Sequence, residues 1–250
     1  MTQDLFRQDA YLRECSAHIT AVTDAGIVLD QTVFYPLGGG QAGDSGVLVL
    51  ADGSQITIAD TRKGKDADGN PTSDIVHIPA SGQEERVAQL KPDTAVTARI
   101  DWDRRHRMMR LHTTSHLLCH VVPQLVNGCS ITPDYARLDF AMTDPLDKEQ
   151  LTAAIATLVA AAHPLTVASI SDEELDANPA LVKSMSVQPP RGTGRIRTIR
   201  IGGDGDAPLI DLQPCGGTHV ANTSEIGGIV VTKIEKKSAT TRRVVLGFAP

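Results

Sequence analysis

Two short stretches, far apart in the chain, carry residue types that bind metal: His112-Thr113-Thr114-Ser115-His116 and Cys215-Gly216-Gly217-Thr218-His219. Residues four apart on a helix share a face, so His112 and His116 can aim two imidazoles at one ion. Cys215 offers a soft thiolate and His219 a further imidazole, with two glycines between them that let the backbone bend tightly. Three imidazoles and a thiolate form a donor set that zinc prefers. The long separation requires a folded domain, rather than a short loop, to bring a helix and a distant turn together. A rival helix pair exists, because His120 continues the row of His112 and His116. At ~1.5 Å rise per residue His112 and His120 stand about 12 Å apart, so all three cannot chelate one ion. Spacing alone leaves 112/116 and 116/120 both open.

The chemistry open to such a site is bounded by what surrounds it. A metalloprotease helix places Glu after its first His, and here that position is Thr113. A nucleoside deaminase would show H-x-E and C-x-x-C, and the chain has neither. Four protein ligands close a tetrahedral zinc and suit a structural site; with one ligand loose, the ion can lower the pKa of a bound water. Asp211 and Gln213, close to Cys215, are candidate partners that orient the ligands. Tyr35-Pro36-Leu37-Gly38-Gly39-Gly40-Gln41 is a second unusual stretch. Three glycines leave backbone N–H groups accessible to a phosphate or carbonyl, although a plain surface turn reads the same way. No Lys-Ser/Thr follows, so this is not a P-loop.

His112 to Leu118 together with Cys215 to Val220 resembles the paired signature of the alanyl-tRNA editing family. That family comprises free-standing deacylases and the editing domain of alanyl-tRNA synthetase. The resemblance extends through Tyr35–Gln41, Asp44-Ser45-Gly46, Arg137-Leu138-Asp139-Phe140, Ile226-Gly227-Gly228 and Arg242-Arg243, in order along nearly the whole chain. It implies one zinc held by His112, His116, Cys215 and His219, with His120 an ordinary helix residue. It further implies that the glycine loop approaches the editing site, giving Gly38, Gly39, Gly40, Gln41, Thr114 and Asp211 as catalytic candidates. Arg104, Arg105, Cys129, Thr132 and Arg195 are the substrate-binding candidates, with Ser115 and Ser130 as further polar neighbours. Ser115 and Cys129 stand where the synthetase domain commonly has Thr and Ser. The implied activity is trans-editing: hydrolysis of Ser-tRNA(Ala), and also Gly-tRNA(Ala), by a medium-length form without a synthetase catalytic domain. The alternatives are editing of Ser-tRNA(Thr) and a non-catalytic RNA-binding module with structural zinc. The threonyl-type motif, Cys-Arg-Gly-Pro-His, differs from the residues at 215–219.

The elements that must position these residues divide the chain in two. Residues 1–95 are β-rich, with Ile27–Leu29, Thr32–Phe34, Val47–Leu50 and Ile56–Ala59 as strands and Asp52-Gly53 as a hairpin turn. Val96, Ala98 and Ile100 alternate as a further strand, and Lys63–Asn70 reads as a surface loop. Short strands with Gly-rich turns fit a small barrel. Pro92 and Asp93 mark a boundary, and residues 101–250 form the second domain. There Met108, Leu111, Ser115, Leu118 and Val122 recur at helical spacing, so the first ligand pair lies on a buried central helix. Asp144-Pro145 starts a second helix with the stripe Leu151, Ile155, Leu158 and Ala162, and Ser171 with Glu174 is a capping box. Ile196–Ile201, Ile226–Glu235 and Val244–Phe248 are strands, giving an α+β layer of helices on an antiparallel sheet.

The 250 residues suffice for a sizeable core, and a net charge of −6 argues against non-specific coating of nucleic acid. The basic residues are nonetheless clustered: Arg104, Arg105, Arg107 and Arg110; Arg191, Arg195, Arg197 and Arg200; Lys233, Lys236, Lys237, Arg242 and Arg243. Any one cluster reads as a solvated face; three of them flanking one site suggest a phosphate-binding rim for tRNA. Four cysteines without framework spacing, no bilayer-length apolar run and no signal-peptide pattern at Met1–Asp4 place the chain in the cytoplasm.

Overall fold

Alternating apolar residues of the N-terminal half become strands, and runs buried on every side become the elements around the ligands. The computed structural model describes residues 1–189, 194–203, 205 and 208–250. The fold is α+β, with mostly antiparallel sheets and few helices among the described residues. The chain divides into two compact units, residues 1–38 with 42–106, and residues 39–41 with 107–250.

In the first unit, β1 (Glu14–Thr23), β2 (Gly26–Leu29), β3 (Gly46–Leu50), β4 (Gln55–Lys65), β5 (Pro71–Pro79) and β6 (Ala95–Ile100) close a barrel in the order β1-β2-β5-β4-β3-β6. Every second residue of β6 is buried, which puts Val96, Ala98 and Ile100 into a core with Ile19, Leu29, Phe34, Leu48 and Ile58. The Asp52-Gly53 turn joins β3 to β4, and Gly53 takes the left-handed φ of 81° that the turn requires. The segment expected as a loop from Lys63 is strand as far as Lys65, and only the turn beyond it to Asn70 leaves the sheet.

Two buried polar groups are built into this unit. His77 is fully enclosed, its ring nitrogens meeting Thr32 Oγ1 at 2.8 Å and the Ile27 carbonyl at 3.1 Å. Burial pushes its pKa down to about 4, against a partial offset from the Ile27 bond. Arg105 has no exposed surface. Its Nε lies 3.0 and 3.1 Å from the two Asp44 oxygens, its Nη2 also meets Asp44, and further bonds run to the carbonyls of Val33 (2.6 Å) and Ala10 (3.0 Å). The expectation that Arg105 binds tRNA is therefore corrected: its guanidinium is spent entirely inside the protein.

The unit division falls within the next element, helix α1 (Trp102–Val121), after His106. In the second unit α1 is buried on every side from Leu111 to Cys119, so its apolar and polar residues alike need partners. β7 (Val126–Ile131) and β8 (Tyr135–Ala141) follow as a hairpin, and α2 (Lys148–Ala160) packs Leu151 and Ile155 inward. Its cap is Asp147, which accepts from the Gln150 N–H at 2.8 Å, rather than Asp144. Strands β9 (Leu165–Ile170), β10 (Ile196–Gly202) and β11 (Leu209–Pro214) make a three-stranded antiparallel sheet. Between β9 and β10 the Ser171–Glu174 capping box closes with both reciprocal bonds. Strands β12 (Ile229–Ser238) and β13 (Thr241–Phe248) complete a four-stranded sheet ordered β12-β13-β8-β7. Of the basic residues singled out in the sequence, Arg191 lies outside the described residues.

Two stability effects follow. Replacing Arg105 with Met strands the Asp44 carboxylate in the core, so the full chain loses about 3–5 kcal/mol in denaturant titration. For His77, the unfolded chain binds its proton near the ordinary value of 6.5 and the folded chain only near 4. Its contribution is therefore complete above pH 6.5 and disappears as the pH falls toward 4. A His77→Gln variant shows a correspondingly flatter stability profile across that window.

Candidate metal centre

The site lies wholly within the second unit, and α1 supplies its first half. His112 and His116 are each about 5% exposed and one turn apart. The second half follows β11, whose pairing with β10 carries the chain to Cys215; the Cys215 N–H donates to the Arg197 carbonyl at 3.1 Å. The Arg197 guanidinium returns to the same loop, donating to the carbonyls of Cys215 (2.6 Å) and Gly217 (3.0 Å). One ligand atom from each of His112, His116, Cys215 and His219 falls within a cluster no wider than 4.8 Å. Cys215 Sγ lies 3.5 Å from His112 Nε2 and 3.3 Å from His219 Nε2. His120 is exposed on the following turn and outside the cluster, which resolves the rival pairing in favour of 112/116.

Each imidazole is oriented through its far nitrogen. His112 Nδ1 donates to Gln41 Oε1 at 2.8 Å. His116 Nδ1 meets Asp211 Oδ2 at 2.8 Å, and Asp211 in turn accepts from Gln213 Nε2 at 2.8 Å and from Lys183 Nζ. His219 Nδ1 lies 3.2 Å from Thr113 Oγ1, which also accepts from the Val220 N–H at 3.3 Å. The pattern leaves the Nε2 atoms facing one another with the thiol, the arrangement found around bound transition metals. Sulfur and imidazole donors with carboxylate and amide partners behind them fit zinc chemistry.

Burial and mutual contact shift the titration of Cys215, His219 and His116. Burial alone would raise the Cys215 thiol, but the imidazoles of His112 and His219 outweigh it and hold the thiol well below its ordinary value. Burial, then His112, push the His219 imidazole well below its usual range. For His116 burial acts downward, yet Asp211 and Cys215 lift it to about 9. Asp211 is held down at about 2 against its burial, chiefly by His116 with Lys183. The arrangement is a compact donor set of three buried imidazoles and a half-buried thiol.

The other expected site residues are distributed unevenly. Gly39, Gly40 and Gln41 belong to the second unit. The Gly40 carbonyl accepts from the Ile131 N–H at 2.7 Å, and the Cys129 thiol lies 3.6 Å from the Gly39 carbonyl. A Cβ at Gly40 would overlap the Cys129 sulfur, and its φ of 86° is itself a glycine conformation. Gly38 belongs to the first unit, where Tyr35 Oη donates to its carbonyl at 2.8 Å. Thr132 caps the β7–β8 turn, its hydroxyl donating to the Tyr135 carbonyl at 3.0 Å. Arg104, in the first unit, donates to the Gly43 carbonyl at 3.2 Å, and exposed Arg195 bonds the Ser169 side chain and carbonyl. Thr114 faces its own helix. Its hydroxyl donates to the Arg110 carbonyl one turn back at 2.8 Å, as Ser115 does to Leu111, while Thr113 is the residue that reaches a ligand. Lys183 was missed altogether, since nothing in its surrounding sequence marks it. Several of the clustered arginines also make contacts within the protein, whereas Lys233, Lys236 and Lys237 are exposed. Arg107 and Arg110 donate to the carbonyls of Pro133 and Ile226 and lie over the Phe248 ring, and Arg243 binds Asp139 through two nitrogens.

The chain is similar to known proteins. Residues 196–245 match the family model described as Threonyl and Alanyl tRNA synthetase second additional domain, and residues 7–104 match tRNA synthetases class II (A). The chain is 32% identical over 254 residues to an alanyl-tRNA editing protein AlaX-M of Saccharolobus solfataricus, with all of both chains covered. It is 31% identical over 253 residues to the AlaX-M protein of Methanosarcina acetivorans, covering 98% of each. It is also 34% identical to the alanine–tRNA ligase of Metallosphaera sedula over 244 residues, covering 94% of this chain and 25% of the ligase.

Gly217 supplies a direct test of the centre. A Cβ there would overlap the His112 ring and approach Gln41 Oε1. Elemental analysis of the purified chain is expected to give about one metal ion per molecule, and Gly217→Ala to lose most of it with its circular-dichroism spectrum unchanged.

Proposed function

This chain belongs to the family of alanyl-tRNA editing proteins of the AlaX-M type, and on that premise we propose that it removes serine wrongly attached to tRNA(Ala), and glycine likewise, acting in trans in the cytoplasm. Membership makes it an aminoacyl-tRNA deacylase, a carboxylic ester hydrolase. The observation that carries the reading is the buried cluster of His112, His116, Cys215 and His219, at the positions where the family's paired motif stands. These four residues would hold one zinc ion, which supplies a Lewis acid beside the ester when bound. No helix among the described residues is long and apolar enough to cross a membrane.

The chain's own residues carry the rest of the proposal. An aminoacyl ester is already activated, so aligning a water with the terminal ribose and offering N–H donors to the developing oxyanion accounts for much of the acceleration. The backbone of Gly38, Gly39 and Gly40 serves as the donor set in this reading, with Gly40 fixed through its carbonyl to Ile131. Gln41 and Asp211 hold His112 and His116 in orientation. Cys129 and Thr132 contribute to the substrate wall, and Arg104 and Arg195 to the binding of the acceptor end. Of the two domains, 1–95 serves tRNA docking and 101–250, with residues 39–41 joined to it, carries out hydrolysis.

Editing is needed because a pocket shaped for alanine rejects serine or glycine by only ~1–3 kcal/mol. A second site that hydrogen-bonds the serine hydroxyl reverses the preference, since alanine leaves that partner unpaired. The closed four-ligand set favours one rival, an RNA-binding module whose zinc is structural. Release of amino acid from Ser-, Gly- and Ala-tRNA(Ala) and from Ser-tRNA(Thr) separates the readings. The expected result is rapid release from Ser-tRNA(Ala), release from Ala-tRNA(Ala) slower by about 100-fold or more, and loss of activity with a chelator. tRNA binding with no release from any ester identifies the RNA-binding module instead.

A further inference from the structure

Gln41 is fully buried, and both ends of its amide are used on the metal centre. Its Oε1 accepts from His112 Nδ1 at 2.8 Å and from the Thr218 N–H at 3.1 Å, and its Nε2 donates to Thr218 Oγ1 at 2.9 Å. His112 belongs to the helix pair of ligands, and Thr218 sits between Cys215 and His219 in the other pair. One side chain therefore ties together the two halves of a site whose sequences lie far apart. A carbonyl oxygen 2.8 Å from Nδ1 accepts a hydrogen bond from an N–H there and leaves Nε2, the nitrogen beside Cys215 Sγ, with its lone pair directed into the cluster.

The surroundings leave the amide little freedom. Gly217 gives up a side chain where a Cβ would press on both His112 and Gln41 Oε1. Gly40, immediately before Gln41, gives up one where it would meet Cys129, and its carbonyl is bonded to β7 through Ile131. The glycines thus admit the backbone of residue 41 close to β7, and the Gln41 side chain spans from there to the ligands. His116 has an equivalent support in Asp211 and His219 in Thr113, each touching one ligand as Gln41 does; Gln41 in addition holds Thr218, between the other two ligands, through two hydrogen bonds.

We propose that Gln41 is a positioning residue for the metal centre: it selects the Nδ1–H tautomer of His112 and fixes the Cys215–His219 loop to that histidine. The inference rests on the reading of the four-residue cluster as a metal site. It assigns the glycine loop a purpose separate from oxyanion stabilisation, since the loop's geometry delivers the Gln41 amide.

The test is metal binding by the full-length chain, without turnover. Co(II) is titrated into metal-free protein against a competing chelator, and its visible d–d spectrum is recorded. Gln41→Met, similar in length but without either polar group, is expected to weaken Co(II) binding by about 10–100-fold and to alter the d–d bands. Gln41→Glu restores an acceptor for His112 and is expected to recover most of that affinity. Met and wild-type affinities within about threefold, with unchanged bands, would overturn the proposal, as would Glu binding as weakly as Met. If Gln41→Met does not fold, Thr218→Val takes its place: it removes the other anchor, and unchanged affinity and spectrum in that variant also overturn the bridging role. A wild-type chain that binds no Co(II) discards the metal site itself, together with this inference.

Discussion

Three buried imidazoles beside a half-buried thiol impose one demand on everything around them: each far-side nitrogen must find a partner. An unpaired polar group at such depth costs ~1–3 kcal/mol, and this site contains several. The demand is met from three directions, by the amide of Gln41, the Asp211 carboxylate with Lys183 behind it, and the hydroxyl of Thr113, while Arg197 binds the ligand loop's carbonyls. The architecture of the second unit follows from supplying those groups. β11 delivers Asp211, Gln213 and then Cys215; β10 delivers Arg197; the loop at 39–41 delivers the amide.

The ligands were the most legible part of the sequence, because helical spacing is arithmetic and imidazole has few other reasons to recur at it. His120 shows where that legibility ended: period alone could not say which turn of α1 is covered, and the structure leaves His120 exposed. Thr113 and Thr114 illustrate the same limit at the scale of one residue. Adjacent positions on a helix differ by about 100°, so one hydroxyl faces His219 while its neighbour bonds back into the helix. The supporting residues were harder still. Asp211 and Gln213 were suspected from their proximity to Cys215, whereas Lys183 meets Asp211 through tertiary folding alone.

Charge was the least reliable guide. Arginines that read on paper as a phosphate rim are in large part used internally, Arg105 against Asp44, Arg197 on the ligand loop and Arg243 on Asp139. A guanidinium carries five donors in a fixed fork and is lightly hydrated, so it suits a carbonyl-lined interior as well as it suits a phosphate. Lysine is a stricter marker of exposed surface, and Lys233 is largely exposed. The strands were read well where side chains alternate strictly, as in β6, and less well where a charged stretch hid one, as at the end of β4.

The contacts of Gln41 also set an order of assembly. Its amide meets His112 across 71 residues of chain and Thr218 across 177. During synthesis the glutamine therefore leaves the ribosome long before either partner, and remains hydrated until the ligand loop has been made. The barrel has its own long closure, since Glu14 of β1 pairs with Arg99 of β6, but every residue it needs is present much earlier. A site that needs all four side chains is thus complete only when Cys215 and His219, about a hundred residues after His112 and His116, have joined the folded chain.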